Sequence, residues 1–278
     1  MSIVYRVLCG AAAICIGLGL LLGVIGVMTG ARPADLYLSP TDLPAFRFVS
    51  RGSPIWGRDT VETNYPVGEV QSLDFELQTM NVTIREGDGF HIRAKDVNAK
   101  RFVTELKGNT WRIRCDTDSF GPHMSLPRNW EDHAPLVDIT VPKGWTAQEM
   151  EISMGMGNLT IDGLSAMESS IDVGMASVVM GDFFSRDCSI QVGMGSLTLD
   201  GALTGDCDID CGMGSASLLL NGAEDDYGCT ATAGMGTITF GRHECGGLGG
   251  SMTVSSGAVD NFFTINSGMG TVDVQFTR

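Results

Sequence analysis

Six cysteines lie outside the apolar N-terminus: Cys115, Cys188, Cys207, Cys211, Cys229 and Cys245. A thiolate can attack electrophiles or hold a soft metal, but only once the thiol has lost its proton. Cys188, Cys207 and Cys229 each stand five residues before a recurrent glycine-containing phrase, so a stacked repeat would set them in one column. Adjacent strands lie about 4.8 Å apart. A disulfide favours β-carbons about 3.5–4.5 Å apart, so a column disulfide would be strained. Cys211 shares the inward parity, and four such thiols could in principle form a zinc site. The short Cys-x-x-Cys spacing of zinc ligands is absent, however. The expected role is that of small buried hydrophobes.

The remaining reactive residue types are dispersed. His123 and His133 share the segment Asp116 to Ala134 with Asp116, Asp118, Glu131 and Asp132, which reads as a solvated loop. His243-Glu244-Cys245 lies in a second, glycine-rich insertion, Gly241 to Asp260, and reads the same way. Asp172 and Asp210 point outward from equivalent positions two periods apart, with Gln191 between them, which describes an acidic, soluble face. There is no Ser-His-Asp order, no phosphate loop and no carboxylate pair at acid/base spacing. The reading is a non-enzymatic protein, with no catalytic, cofactor-binding or metal-binding residue assigned and no cofactor.

These residues must be positioned by a repeat. Gly155-Met156-Gly157 returns as Gly174-Met175-Ala176, Gly193-Met194-Gly195, Gly212-Met213-Gly214, Gly234-Met235-Gly236 and Gly268-Met269-Gly270. The intervals are 19, 19, 19, 22 and 34 residues. A fixed period of this size marks a stacked repeat. One, three and five residues before each phrase stand small or apolar residues, such as Met154, Ile152 and Met150 in the first unit. Alternation of period two describes a strand with one buried face. Beyond the phrase the alternation resumes with shifted parity, as in Leu159 and Ile161. A one-residue slip turns a strand inside out unless the chain bends there, and glycine tolerates such a bend. Counted from the upstream strand, the central methionine has inward parity. Six methionines are therefore expected as a column in the core, where packing filler is their expected role, although thioethers can also hold soft metals.

The expected fold is all-β: a single parallel β-solenoid with rungs of about 19 residues, preceded by one N-terminal transmembrane helix. Residues 1–31 read as the membrane anchor, because Val7 to Ala31 carries no charge and is long enough to span a bilayer. Residues 32–67 read as a proline-rich spacer and residues 68–278 as the solenoid domain. Arg6 before the span places the tail inside and the C-terminal domain outside the cell. The net charge of −15 disfavours nucleic acid as a partner.

The order of span, spacer, the phrase Val137-Asp-Ile-Thr-Val-Pro142-Lys-Gly144, and repeats ending in Gly-x-Gly followed by a polar residue and alternating apolar residues resembles a known family. It is similar to the adhesin-like β-solenoid domains of bacterial envelope proteins, over about Gly68 to Arg278. The resemblance implies an adhesin-like binding or scaffold module of the cell envelope, with an unknown protein or glycan ligand and no catalytic residue. An alternative is an envelope-stress sensor that captures a cationic ligand or partner protein. A carbohydrate-active enzyme is a third reading.

Overall fold

Alternating burial along short segments is the dominant local pattern, and the segments that carry it are strands. The computed structural model describes residues 56–115, 134–254 and 260–277, all within one compact unit, Pro44–Arg278. The expected anchor at 1–31, spacer residues 32–55, and His123 and His133 lie outside the described residues. In chain order the strands begin with β1 (Trp56–Tyr65), β2 (Ser72–Gly87), β3 (Phe90–Val97), β4 (Phe102–Lys107), β5 (Thr110–Cys115) and β6 (Leu136–Pro142). Then follow β7 (Thr146–Asp162), β8 (Ser165–Val173), β9 (Ser177–Val192), β10 (Ser196–Leu203), β11 (Asp206–Cys211) and β12 (Ser215–Asn221). Last come β13 (Tyr227–Ala233), β14 (Thr237–Phe240), β15 (His243–Gly246), β16 (Gly250–Val254), β17 (Asn261–Ser267) and β18 (Thr271–Thr277). β1 falls within the stretch read as spacer, where it pairs antiparallel with β3.

The architecture is β-solenoid-like, and its centre is parallel. Strand arms upstream of each corner stack as β7 on β8, β8 on β9, β9 on β11 and β11 on β17. Arms downstream of the corner stack as β7 on β9, β9 on β10, β10 on β12 and β12 on β18. The core is the enclosed face of both arms: Ile152, Ile171, Ile190, Ile209 and Ile265 are all at most 1% exposed, as are Leu159, Val178, Leu197, Leu218 and Val272. Each rung thus lays its aliphatic side chains on those of the rung before, as the alternation requires.

The sheet is mixed rather than purely parallel, because antiparallel strands close both ends. At one end β3 pairs antiparallel with β6 and β4 with β5. At the other, β15 pairs antiparallel with β14 and β16 with β13. A parallel stack leaves an unpaired strand at each end, a template for aggregation that covering strands remove. Aromatic residues seal the caps. Trp111 meets Phe75, Phe90 and Tyr65 with ring centroids 5.3, 6.0 and 5.1 Å away, and its indole donates to Thr104 Oγ1 at 3.0 Å. Tyr227, Phe240, Phe263 and Phe276 cluster toward the opposite end.

Spatial order departs from chain order toward both ends of the stack: β2 lies between β5/β6 and β7 and pairs in parallel with all three. The last rung, β17 and β18, lies between β11/β12 and β13/β14 and pairs in parallel on both sides. The chain therefore builds the β13/β14 rung and its antiparallel cover first in sequence, then returns to fill the gap below. The 34-residue interval between the last two phrases contains that detour.

The corner methionines do not form a core column. Met175, Met194, Met213, Met269 and Met235 are 39–62% exposed, and Met156 is half-buried. The parity slip falls before the methionine, not after it, so the inner position belongs to the third residue of each phrase. A β-carbon on Gly195 would stand 3.0 Å from Val173 Cγ1, and one on Gly214 would stand 2.8 Å from Val192 Cγ1. Close approach explains those glycines, whereas Gly157 also needs a left-handed φ of 109°.

Candidate binding surface

The thiols are placed where their chemistry is suppressed. All six described cysteines are buried and reduced. Burial pushes the Cys188 thiol up to about 11 and the Cys115 and Cys229 thiols up to about 12; Cys207 is raised further, by burial and by the neighbouring Cys188. A protonated thiol is neither a nucleophile nor a metal ligand. Cys188 and Cys207 are register neighbours, as expected, but Cys229 does not continue the column. Phe263 of the inserted last rung stands between Cys207 and Cys229.

Buried hydroxyls near Cys188 close on themselves. Ser169 Oγ donates to Ser185 Oγ at 2.8 Å, and Ser185 Oγ donates to the Asp187 carbonyl at 2.9 Å. The two described histidines each meet an acid: His91 lies 3.1 Å from Glu62, and His243 lies 3.5 Å from Glu224. Among the described residues, no group of histidine, cysteine and acidic side chains is arranged to hold a metal. Asp172 and Asp210 stay apart, each in register with Gln191 between them. Asp210 instead accepts from Asn266 Nδ2 at 2.9 Å.

Among the described residues, two outward surfaces repeat one side chain per rung. The first is acidic. Glu149 is in register with Glu168 and Glu168 with Asp187, and the backbone N–H of Asp206 donates to Asp187 Oδ1 at 3.1 Å. With Glu151 and Asp208 these carboxylates line a groove of about 540 Å³ across four rungs. Like charges stacked at the strand spacing of about 4.8 Å repel one another, so the column costs stability. Sequence reasoning singled out Asp172 and Asp210, which line a separate groove of about 310 Å³ with Gln191 and Asn266, and not the Glu149 column. The signal for the column was the 19-residue spacing of positions 149, 168, 187 and 206.

The second surface is the methionine ridge. Met175 N–H donates to the Gly155 carbonyl at 2.8 Å, and Met194 and Met213 repeat that bond to Gly174 and Gly193. Met269 and Met235 follow through Gly212 and Gly268 at 2.7 Å. These bonds bring successive methionines into line, one per rung. The ridge ends at β2, where Thr79 is in register with Met156 and Met80 fills the inner position.

A family model described as Toastrack DUF4097 matches residues 70–275. Among solved structures, a candidate cell adhesion protein of Clostridium sporogenes is similar at 11% identity and a TM-score of 0.44, covering 79% of this chain and 99% of that one. A candidate adhesin of Bacteroides fragilis is similar at 13% identity and a TM-score of 0.35, covering 78% and 98%. A candidate lipid-binding protein of Parabacteroides distasonis is similar at 11% identity and a TM-score of 0.30, covering 80% and 98%. No curated protein is significantly similar to this chain.

Proposed function

The chain belongs to the Toastrack DUF4097 family, and on that premise we propose that it is a non-enzymatic binding module of the bacterial cell envelope. Its apolar segment Val7 to Ala31 serves as a single-pass anchor, and its β-domain faces outward from the cell. The observation that carries the binding role is the acidic column of Glu149, Glu168, Asp187 and Asp206 along one groove. A surface that keeps like charges in register at a cost to stability gains by meeting a positively charged partner. An extended basic peptide laid along the stack would meet one carboxylate at each rung.

The experiment is binding of a fluorescent oligolysine peptide to the full-length chain in detergent, at several salt concentrations. Tight binding at low salt that weakens as salt rises supports the reading. Exposed ion pairs contribute about 0.2–1 kcal/mol each. The triple variant Glu149→Gln, Glu168→Gln, Asp206→Asn should therefore lose about threefold to a hundredfold in affinity. Equal affinity in the variant would remove the acidic column from the account.

A further inference from the structure

The methionine ridge serves neither the core nor the acidic groove. Five of its six side chains are 39–62% exposed, at corners whose flanking residues are glycine except for Ala176. That position lies outside the core, and a polar side chain would be cheaper in water. Every corner from Met156 onward nevertheless carries the same thioether. An apolar docking stripe would accept leucine, isoleucine or valine equally well, yet none occurs at the six positions.

We propose that the ridge is a binding site for soft monovalent cations, Cu(I) or Ag(I), held by thioether sulfurs of successive rungs. Thioethers are soft ligands that select Cu(I) over harder ions. A zinc–thiolate bond runs about 2.3 Å, and on that scale a metal between two opposed sulfurs spans about 4.6 Å. The rung spacing of about 4.8 Å matches that span. The stack holds its methionines in line through the backbone bonds from Met175, Met194, Met213, Met269 and Met235 to the preceding rung. The net charge of −15 draws cations toward the surface without competing for the metal. Thioethers carry no proton at accessible pH, so binding is independent of pH. Sites made of thiols, imidazoles or carboxylates instead release protons on loading and weaken in acid.

The test uses full-length protein in detergent, carrying 13C-methyl methionine and titrated with silver nitrate, a redox-inert probe. The expected result is uptake of about two or three Ag(I) per chain, equal at pH 5 and pH 8. Methyl signals of Met175, Met194, Met213, Met235 and Met269 should shift, while those of buried Met80, Met150, Met154 and Met180 stay in place. Replacing Met194 and Met213 together by leucine keeps the apolar area and should remove about one ion. Unshifted ridge methyls would overturn the proposal. So would undiminished uptake by the leucine variant, which would assign the silver to sulfurs outside the ridge, the cysteines or exposed Met167. Capture of an apolar peptide by parent and leucine variant alike, without silver uptake by either, would show the ridge to be a docking stripe that extends to exposed Leu248.

Discussion

Among the described residues most methionines occupy one of two opposite environments, the enclosed face of the rungs or the outer edge of their corners, while Met167 on β8 is 43% exposed outside both. Met80, Met150, Met154 and Met180 are at most 1% exposed, whereas Met213, Met269 and Met235 are 47–62% exposed. Residue type does not decide between them; the position of a single parity slip does. Inside, a sulfur side chain fills space and its chemistry is silenced by burial. Outside, the same side chain leaves the core unchanged and its sulfur is free to meet solutes.

The largest test of that contrast is Gly195→Leu. A side chain at this inner position would drive into Val173 Cγ1 and the carbonyl of Ala176, so a loss of at least about 4 kcal/mol is expected in urea denaturation. Met150→Ala should follow, at about 2–5 kcal/mol, because it opens a cavity in the core. Met213→Ala, with the same atoms removed from the ridge, should stay within about 0.5 kcal/mol. Comparable losses at 150 and 213 would erase the distinction.

The thiols sharpen it with pH. The Cys188 thiol stands near 9.0 when free and is pushed up to about 11 by burial. Above pH 9 the unfolded chain loses this proton first, so the folded state binds more protons and stability falls as pH rises. Denaturation midpoints measured from pH 7 to pH 11 should be level below pH 9 and decline beyond it. At pH 8 a thiol reagent should label Cys188 and Cys229 only as fast as the protein opens.

The strand alternation was legible because each arm repeats it with the same inward residues, Ile152 to Ile265 among them. The corner was ambiguous for a physical reason. Counting from Met154 puts Met156 inside, while counting back from Leu159 puts it outside, and only the crowding at Gly195 and Gly214 shows which count holds. The cysteine column failed at Cys229 because chain order does not state that the last rung enters between earlier ones. The antiparallel covers at β3 and β16 were hidden for a similar reason, because their partners β6 and β13 are distant in sequence. By contrast, β4 and β15 reverse in tight hairpins at Gly108-Asn109 and Gly241-Arg242, whose local signal went unread. The carboxylate groove could have been found from positions 149, 168, 187 and 206, had spacing been applied to charged residues as well as apolar ones.

The placement of the ridge is tested most directly by mild peroxide oxidation of the native protein, with sulfoxide at each methionine quantified by peptide mass spectrometry. Met175, Met194, Met213, Met235 and Met269 should oxidise well before Met80, Met150, Met154 and Met180. Protection of the corner methionines to the same degree as the core set would contradict the account.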